Sequence, residues 1–527
     1  MSEVTVNVAP ADKATNPVSH SLPPPQSWWL RMRKWLFLAL FCLAQFLETF
    51  NASAIYVALP SINRALSLSP EEDTWLIAVY TLTFASFMLM CGRICDVYNP
   101  KLVFVLGCLL FGVTSLIFGF VRVTIVSLVL RAFTGVAAAM MSPSALHLII
   151  LNFTDETQRA TAIGFFGATA GIGNVLGLIL GAIIVQFTTW QWLFWFSAIA
   201  SLVVGVVAFI TIPNAGSDEE HREKPTDIDF IGVGSLTSAL ILLIFAITSG
   251  SSTSWDSPRF IAPLIIFFLL VAGFVYYEAK IPEHKAVMPP SMWRIPAFAV
   301  LMVTALFPFL CFSCIFFFFT SYWQDHYGWG ILSAGTHFLP IGVTFLLTMP
   351  LASRLPDRMP TRWILVLGNG CISISAAILA FADRPGRYWS YNFPAFLIGT
   401  WGVSMTFAGV NIMVFRVTPA SMAGTVGAIF TAALQLGTAI GIPVISAIQL
   451  AVDAPRASPD FTGRSVAFWV VFGIGITLTI LAGVFYPRKL ANTQIDASLK
   501  PVNIEEAAGA HAPPPDRKEE EKKTVIK

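Results

Sequence analysis

Charged side chains are scarce: Asp, Glu, Lys and Arg make up 12% of the 527 residues, against about 25% in an ordinary soluble domain. Too few water-facing groups remain to cover a chain that is 56% hydrophobic with a mean hydropathy of +0.72, so a lipid bilayer must cover it. The formal net charge of +2 comes from basic residues dispersed among loops, which excludes a nucleic-acid surface. Cysteine is also sparse, with seven residues, nearly all inside or at the edge of apolar segments and none at metal spacing with histidine. Cys311 and Cys314 form a CxxC, but inside an apolar run and without βαβ surroundings, so a redox role is disfavoured; no metal and no other cofactor is expected. There is no GxxxxGK[ST] phosphate loop, which disfavours an ATP-driven pump. Nor do a nucleophile, a base and an orienting group cluster as an enzyme would require.

The sequence has long apolar runs instead. A spanning helix needs about 20 mostly apolar residues. About fourteen such stretches lie near 35–58, 74–91, 102–121, 124–149, 160–186, 192–212, 229–249, 260–278, 297–320, 331–351, 362–381, 393–415, 424–450 and 465–486. The first follows a polar, proline-containing stretch and is expected to act as its own insertion signal. Placing both termini in the cytoplasm puts about seventeen Lys and Arg there against about seven outside, the bias of the positive-inside rule. An odd number of spans would spoil it.

Ten residues divide the chain. Gly92-Arg-Ile-Cys-Asp-Val-Tyr-Asn-Pro-Lys101 recurs about 260 positions later, degraded but in register, as Ser353-Arg-Leu-Pro-Asp-Arg-Met-Pro-Thr-Arg362. Each copy joins two apolar segments by a loop too short to fold alone, the mark of a duplicated helical membrane bundle, for which transport is the leading function. The expected organisation is all-α: a disordered cytoplasmic tail (1–34), a six-helix bundle (35–213), a linker with two extra spanning helices (214–296), a second six-helix bundle (297–487) and a disordered cytoplasmic tail (488–527). The tails are rich in Pro, Ala, Glu and Lys, which argues against a packed core.

Three motifs in order resemble the major facilitator superfamily, and within it the fourteen-spanner drug:proton antiporters, particularly fungal aminotriazole-resistance proteins. The loop motif G-x-L-x-D-x-x-G-x-[RK] matches Gly92, Ile94, Asp96 and Lys101, with Asn99 in place of the second glycine. The fourth-helix motif reads Arg131-Ala-Phe-Thr-Gly135-Val-Ala-Ala-Ala139, with Thr134 where the family has glutamine. The fifth-helix antiporter motif reads Gly173-Asn-Val-Leu-Gly177-Leu-Ile-Leu-Gly181-Ala182 and lacks its proline. Many fourteen-spanners carry an aspartate where this chain has Asn51. The resemblance implies a proton-coupled exporter of small hydrophobic or amphipathic compounds, working by alternating access as a monomer in the plasma membrane or, alternatively, the vacuolar membrane.

The residues themselves suggest roles. Gln45, Glu48 and Asn51 share one helical face at three-residue spacing. A carboxylate deep in a membrane is costly unless paired or protonated, so it marks function. Glu48 is read as taking over the proton-binding role of the missing aspartate at Asn51, with Arg131, whose depth matches Asn51 better than Glu48 by about one turn, as the available cation and a static Glu48–Arg131 pair as the bland alternative. Gly92, Arg93, Asp96 and Lys101, with the weaker copies Asp357, Arg358 and Arg362, are read as a gate clasp, against the alternative that they only fix topology. Gly92 would allow close backbone approach. Gly173, Gly177 and Gly181 suit close helix packing in lipid. Gln45, Asn411 and Gln435 are cavity candidates, although buried amides more often link helices. The Phe316–Phe319 run and Trp323 could line an apolar pocket, with packing the stronger expectation. Two rival functions stay open: a uniporter or importer of a specific metabolite, siderophore or inorganic anion, and a transport-inactive membrane sensor of the same fold.

Overall fold

The computed structural model describes residues 28–486 apart from 154, 214–228, 253–254, 283–285, 287, 289, 296, 419–422 and 455–460. Residues 1–27 and 488–527 of the tails and 214–228 of the linker therefore lie outside the described residues, whereas 28–34, expected in the disordered N-terminal tail, are helical and open the first helix.

Among the described residues all regular structure is helical. The first six helices are α1 (Trp28–Leu66), α2 (Pro70–Val97), α3 (Pro100–Phe118), α4 (Thr124–Asn152), α5 (Glu156–Phe187) and α6 (Gln191–Thr211). A hairpin follows, α7 (Phe230–Ser252) and α8 (Pro258–Glu278), then a single turn, α9 (Pro290–Trp293). The remainder are α10 (Phe298–Asp325), α11 (Ile331–Thr336), α12 (Leu339–Ala352), α13 (Thr361–Leu379), α14 (Phe393–Val417), α15 (Ala423–Asp453) and α16 (Thr462–Phe485). Among the described residues thirteen helical segments are long and apolar enough to cross a membrane; α2, 28 residues long, makes a fourteenth pass. Each falls on one of the fourteen apolar runs. The tenth run is broken, because Pro340 opens α12 after the α11 turn ends at His337; proline has no N–H with which to continue a helix.

The helix ends extend the apolar runs with local signals. Ser69 caps α2, its hydroxyl accepting from the Glu72 amide at 3.3 Å while the Glu72 carboxylate accepts from the Ser69 amide at 2.8 Å, a complete capping box. Asn99, the departure from the loop motif, caps α3 by accepting from the Lys101 amide at 3.0 Å, and Pro100 takes the first helical position. Proline suits that position because its missing N–H has no partner in the first helical turn anyway.

The helix pairing repeats. α1 lies along α5 as α10 lies along α15; α2 packs on α4 as α12 packs on α14; α3 packs on α4 and α6 as α13 packs on α14 and α16. Two seams join the sets, α2 against α15 and α5 against α11 and α12, and the hairpin helix α7 stands on the first of them. An even number of passes brings the described ends to one face, the terminus face; the opposite one is the distal face.

Apolar packing differs between the two faces. Toward the distal face one continuous core unites Val57, Ile62, Phe118, Leu178 and Trp190 with Phe316, Phe319, Trp323, Phe338 and Phe461. The Phe316–Phe319 run and Trp323 are thus packing residues of this shared core. Toward the terminus face the cores are separate. One contains Phe37, Phe41, Phe104, Leu148 and Phe153 of the first six helices. The other contains Phe298, Met302, Met413 and Phe430, with Met90 of α2 leaning on it.

Candidate functional site

The membrane interior of the first bundle holds two polar layers on α1, one helical turn apart. In the distal layer Arg131 of α4 is fully buried. Its Nη1 donates to Asn51 Oδ1 at 2.5 Å and its Nε to the Leu76 carbonyl at 3.2 Å. The guanidinium also sits 4.5 Å from the Tyr80 ring centroid, a cation–π contact strengthened by the absence of water. Its Nη2 has no hydrogen-bond partner.

In the second layer Glu48 is 3% exposed and its carboxylate accepts from Gln45 Nε2. Gln45 Oε1 in turn accepts from the Ser142 hydroxyl of α4 at 3.3 Å. A narrow crevice beside them is lined by Ala44, Gln45, Glu48, Met141, Ser142, Ala145 and Phe166. Tyr80 links the layers, since its hydroxyl donates to the Glu48 carbonyl at 3.4 Å while its ring carries Arg131.

The shared face of Gln45, Glu48 and Asn51 is therefore real, but the arginine meets Asn51 and not Glu48. No hydrogen bond or ion pair joins Glu48 to Arg131 among the described residues, and the static-pair alternative does not hold in this conformation. The reason is depth: Arg131 lies level with Asn51, about one 5.4 Å turn from Glu48. Tyr80 is the member that sequence reasoning missed. A lone tyrosine in an apolar run carries no signal distinguishing it from packing.

The antiporter-motif glycines have a steric cause. A Cβ at Gly173 would lie 2.1 Å from Thr49 Oγ1, at Gly177 1.9 Å from Ser53 Oγ, and at Gly181 3.0 Å from Ala54 Cβ. They seat α5 against the very stretch of α1 that carries Glu48 and Asn51. The other face of α5 meets the second bundle, where Cβ atoms at Gly335 and Gly342 would run into Ala182 and Val175.

The loop copies sit elsewhere. The side chains of Arg93, Asp96 and Asp357 lie outside the described residues. A Cβ on Gly92 would meet nothing within 4 Å, so the expected close backbone approach does not occur in this conformation. Lys101 is buried, its ammonium 5.2 Å from the Phe209 ring of α6, inside its own bundle. Arg358 is exposed, and Arg362 is half-buried beside Trp363. Asn411 and Gln435 are half-buried on α14 and α15 of the second bundle, and the structure does not bring them to the polar layers.

Known proteins place this arrangement. The chain is 27% identical over 474 residues to a puromycin resistance protein of Streptomyces alboniger, covering 86% of this chain and 90% of that one. It is 24% identical over 458 residues to a multidrug transporter of Aspergillus fumigatus, with coverages of 85% and 86%. It is also 24% identical over 456 residues to a low affinity ammonium transporter of Saccharomyces cerevisiae, with coverages of 84% and 86%. Among solved structures, a D-xylose-proton symporter superposes with a TM-score of 0.61 at 12% identity, covering 86% of this chain and 98% of that one. A bacterial homologue of the human lysosomal transporter Spinster superposes with a TM-score of 0.60 at 14% identity, with coverages of 88% and 98%. The Major Facilitator Superfamily pattern matches residues 41–442, and with the duplicated bundles and fourteen passes described above, this chain is a membrane transporter belonging to that superfamily.

Proposed function

We propose that the protein is a proton-coupled exporter of small hydrophobic or amphipathic compounds, with the terminus face in the cytoplasm, and that Glu48 carries the proton. The observation behind this reading is the separation of Glu48 from Arg131. A carboxylate this deep with no cation beside it among the described residues is costly in charged form, and the neutral acid can still accept from Gln45. Arg131 keeps an unused donor in Nη2. A small shift of α4 along α1 would offer that donor to Glu48 and exchange its proton for an ion pair. The shared distal core and divided terminus-face cores suit a state closed to the outside, in which substrate enters from the cytoplasm. Relatives named as resistance proteins and efflux pumps favour export.

The test uses the purified chain in liposomes with an imposed pH gradient and a panel of fluorescent amphipathic dyes. Glu48→Gln keeps an acceptor for Gln45, so the fold should persist, while gradient-driven export should fall at least about tenfold, the equivalent of about 1.4 kcal/mol. Undiminished export that still collapses with an uncoupler would sink the assignment. A second reading, uptake of a small cation or metabolite, has the ammonium transporter relative in its favour. It predicts dye-independent flux of the solute down its own gradient, unaffected by the uncoupler.

A further inference from the structure

The distal closure carries polar groups that neither the loop motif nor Glu48 accounts for. Thr74 Oγ1 of α2 donates to Ser446 Oγ of α15 at 3.2 Å, and Gln324 Nε2 of α10 donates to the Val57 carbonyl of α1 at 3.2 Å. Each bond crosses between the bundles. Asp73 stands beside them in the first turn of α2, just outside the apolar run 74–91. Its Oδ2 accepts from Asn63 Nδ2 at 2.6 Å, while its Oδ1 is buried without a partner. Asp325, at the end of α10 in the other bundle, lies within electrostatic reach.

We infer that this closure is a proton-operated latch, in which Asp73 takes up a proton from the distal side and so allows the two bundles to close against Asp325. The surroundings of the two carboxylates differ. Asp325 has Arg64 of α1, Arg464 of α16 and its neighbour His326 around it. Asp73 has the carboxylates of Asp325 and Glu72 and, among the described residues, only the Asn63 amide as donor. Arg464 is itself buried, with Asp453 of α15 also in reach and its guanidinium 4.7 Å from the Tyr322 ring centroid. Burial of the His326 ring, aided by Arg464 and opposed by Asp325 and Asp453, lowers its affinity for a proton, so it does not replace Asp73 as the acceptor.

The sign follows from these contacts. Burial, opposed by Asn63 and reinforced by Asp325 and Glu72, lifts the Asp73 carboxyl from 3.8 to about 7 in the closed form. When the bundles part, Asp73 meets water and returns toward its ordinary range. The closed form then binds more protons, so falling pH favours closing and rising pH favours opening, between about pH 4 and about pH 7. An acidic exterior would return an emptied carrier to its loading state. The device is independent of the role proposed for Glu48.

Spin labels at Val123→Cys and Arg384→Cys, exposed on distal loops of the two bundles, would report the closure by distance in nanodiscs. Cys42 and Cys371, the partly exposed native thiols, would be changed to Ala. The short-distance population should rise at least about tenfold relative to the long one between pH 8 and pH 5.5. Asp73→Asn should hold it high and independent of pH, and Asp325→Asn should move the midpoint to lower pH. Glu48→Gln should leave the pH response intact even if export is lost, which separates failure of the latch from failure of the transport assignment. A parent protein whose distances ignore pH, or an Asp73→Asn protein with the parent's pH response, would overturn the latch.

Discussion

Adding one methyl group at Gly177 tests whether α5 is built to touch α1. The new Cβ would lie 1.9 Å from Ser53 Oγ, 3.0 Å from the Phe50 carbonyl oxygen and 3.1 Å from Phe50 Cα. Ser53 is tied to the Thr49 carbonyl at 2.9 Å and the Phe50 carbonyl at 3.3 Å, so turning its hydroxyl away costs about 1 kcal/mol. The backbone contacts remain, and the helices must separate by a few tenths of an ångström. Overpacking of this kind costs about 1–3 kcal/mol, against a gain of at most about 1 kcal/mol from replacing a helical glycine. Gly177→Ala should therefore be destabilised by about 1–3 kcal/mol. Gly164 on the same helix would bring its Cβ within 4 Å of nothing, and Gly164→Ala should be neutral or more stable. Thermal unfolding in detergent, followed by tryptophan fluorescence, would show shifts of opposite sign. Adding Ser53→Ala to Gly177→Ala should recover part of the loss. Equal behaviour of the two glycine variants would refute the argument that the motif is steric.

Arg131→Lys should abolish coupled transport although the charge is kept, because one ammonium cannot bond Asn51 Oδ1 and the Leu76 carbonyl in the geometry of the guanidinium fork; proton flux in liposomes checks this, and retained coupling would show that charge alone suffices. Gln324→Ala removes a hydrogen bond present only when the distal end is closed, which is worth about 0.5–1.5 kcal/mol. The population open at the distal end should rise up to about tenfold, read as faster labelling of a cysteine placed at Ser446, and an unchanged rate would argue that the bond is incidental.

Span positions were legible because lipid imposes a run length on any helix that crosses it. The capping signals at Ser69–Glu72 were equally open to reading, being contained within four residues. The break in the tenth span was not, since the apolar run continues through Pro340 and only the local helix geometry reveals the turn. Gln45, Glu48 and Asn51 were correctly put on one face by periodicity. That Arg131 lies at the depth of Asn51 was also legible, by counting 1.5 Å per residue along the two helices; that the Tyr80 ring sits beneath its guanidinium was not, because it depends on how α2 is seated against α4. Gly177 shows the same limit from another side: the stripe of small residues was visible, but its partner, Ser53 on α1, was not. Gly92 was read for close approach, yet among the described residues nothing comes within 4 Å of where its Cβ would be, and the terminus-face cores of the two bundles are separate in this conformation.

Duplication has left the two bundles chemically unequal, and this bears on where energy coupling can reside. Within the fourteen apolar runs, Glu48 and Arg131 are the charged residues far from either end; the runs 297–320, 331–351 and 393–415, from which α10, α12 and α14 are built, contain no Asp, Glu, Lys or Arg. Those helices offer hydroxyls and an amide instead, such as Thr348 bonded to Ser404 at 2.7 Å and Thr406 bonded to Asn369 of α13 at 3.3 Å. Neutral pairs of this kind exchange partners at small cost, whereas moving Glu48 or Arg131 changes a charge in low dielectric, where each interaction is several times stronger than in water. A proton bound at Glu48, as proposed above, would bias the first bundle by kilocalories and reach the second through the seams. Those seams run through α2 and α5: α2 carries Tyr80 under Arg131, and α5 seats its glycines on the stretch of α1 that holds Glu48. A change in the charge of the polar layers acts first on the two helices through which the first bundle grips the second.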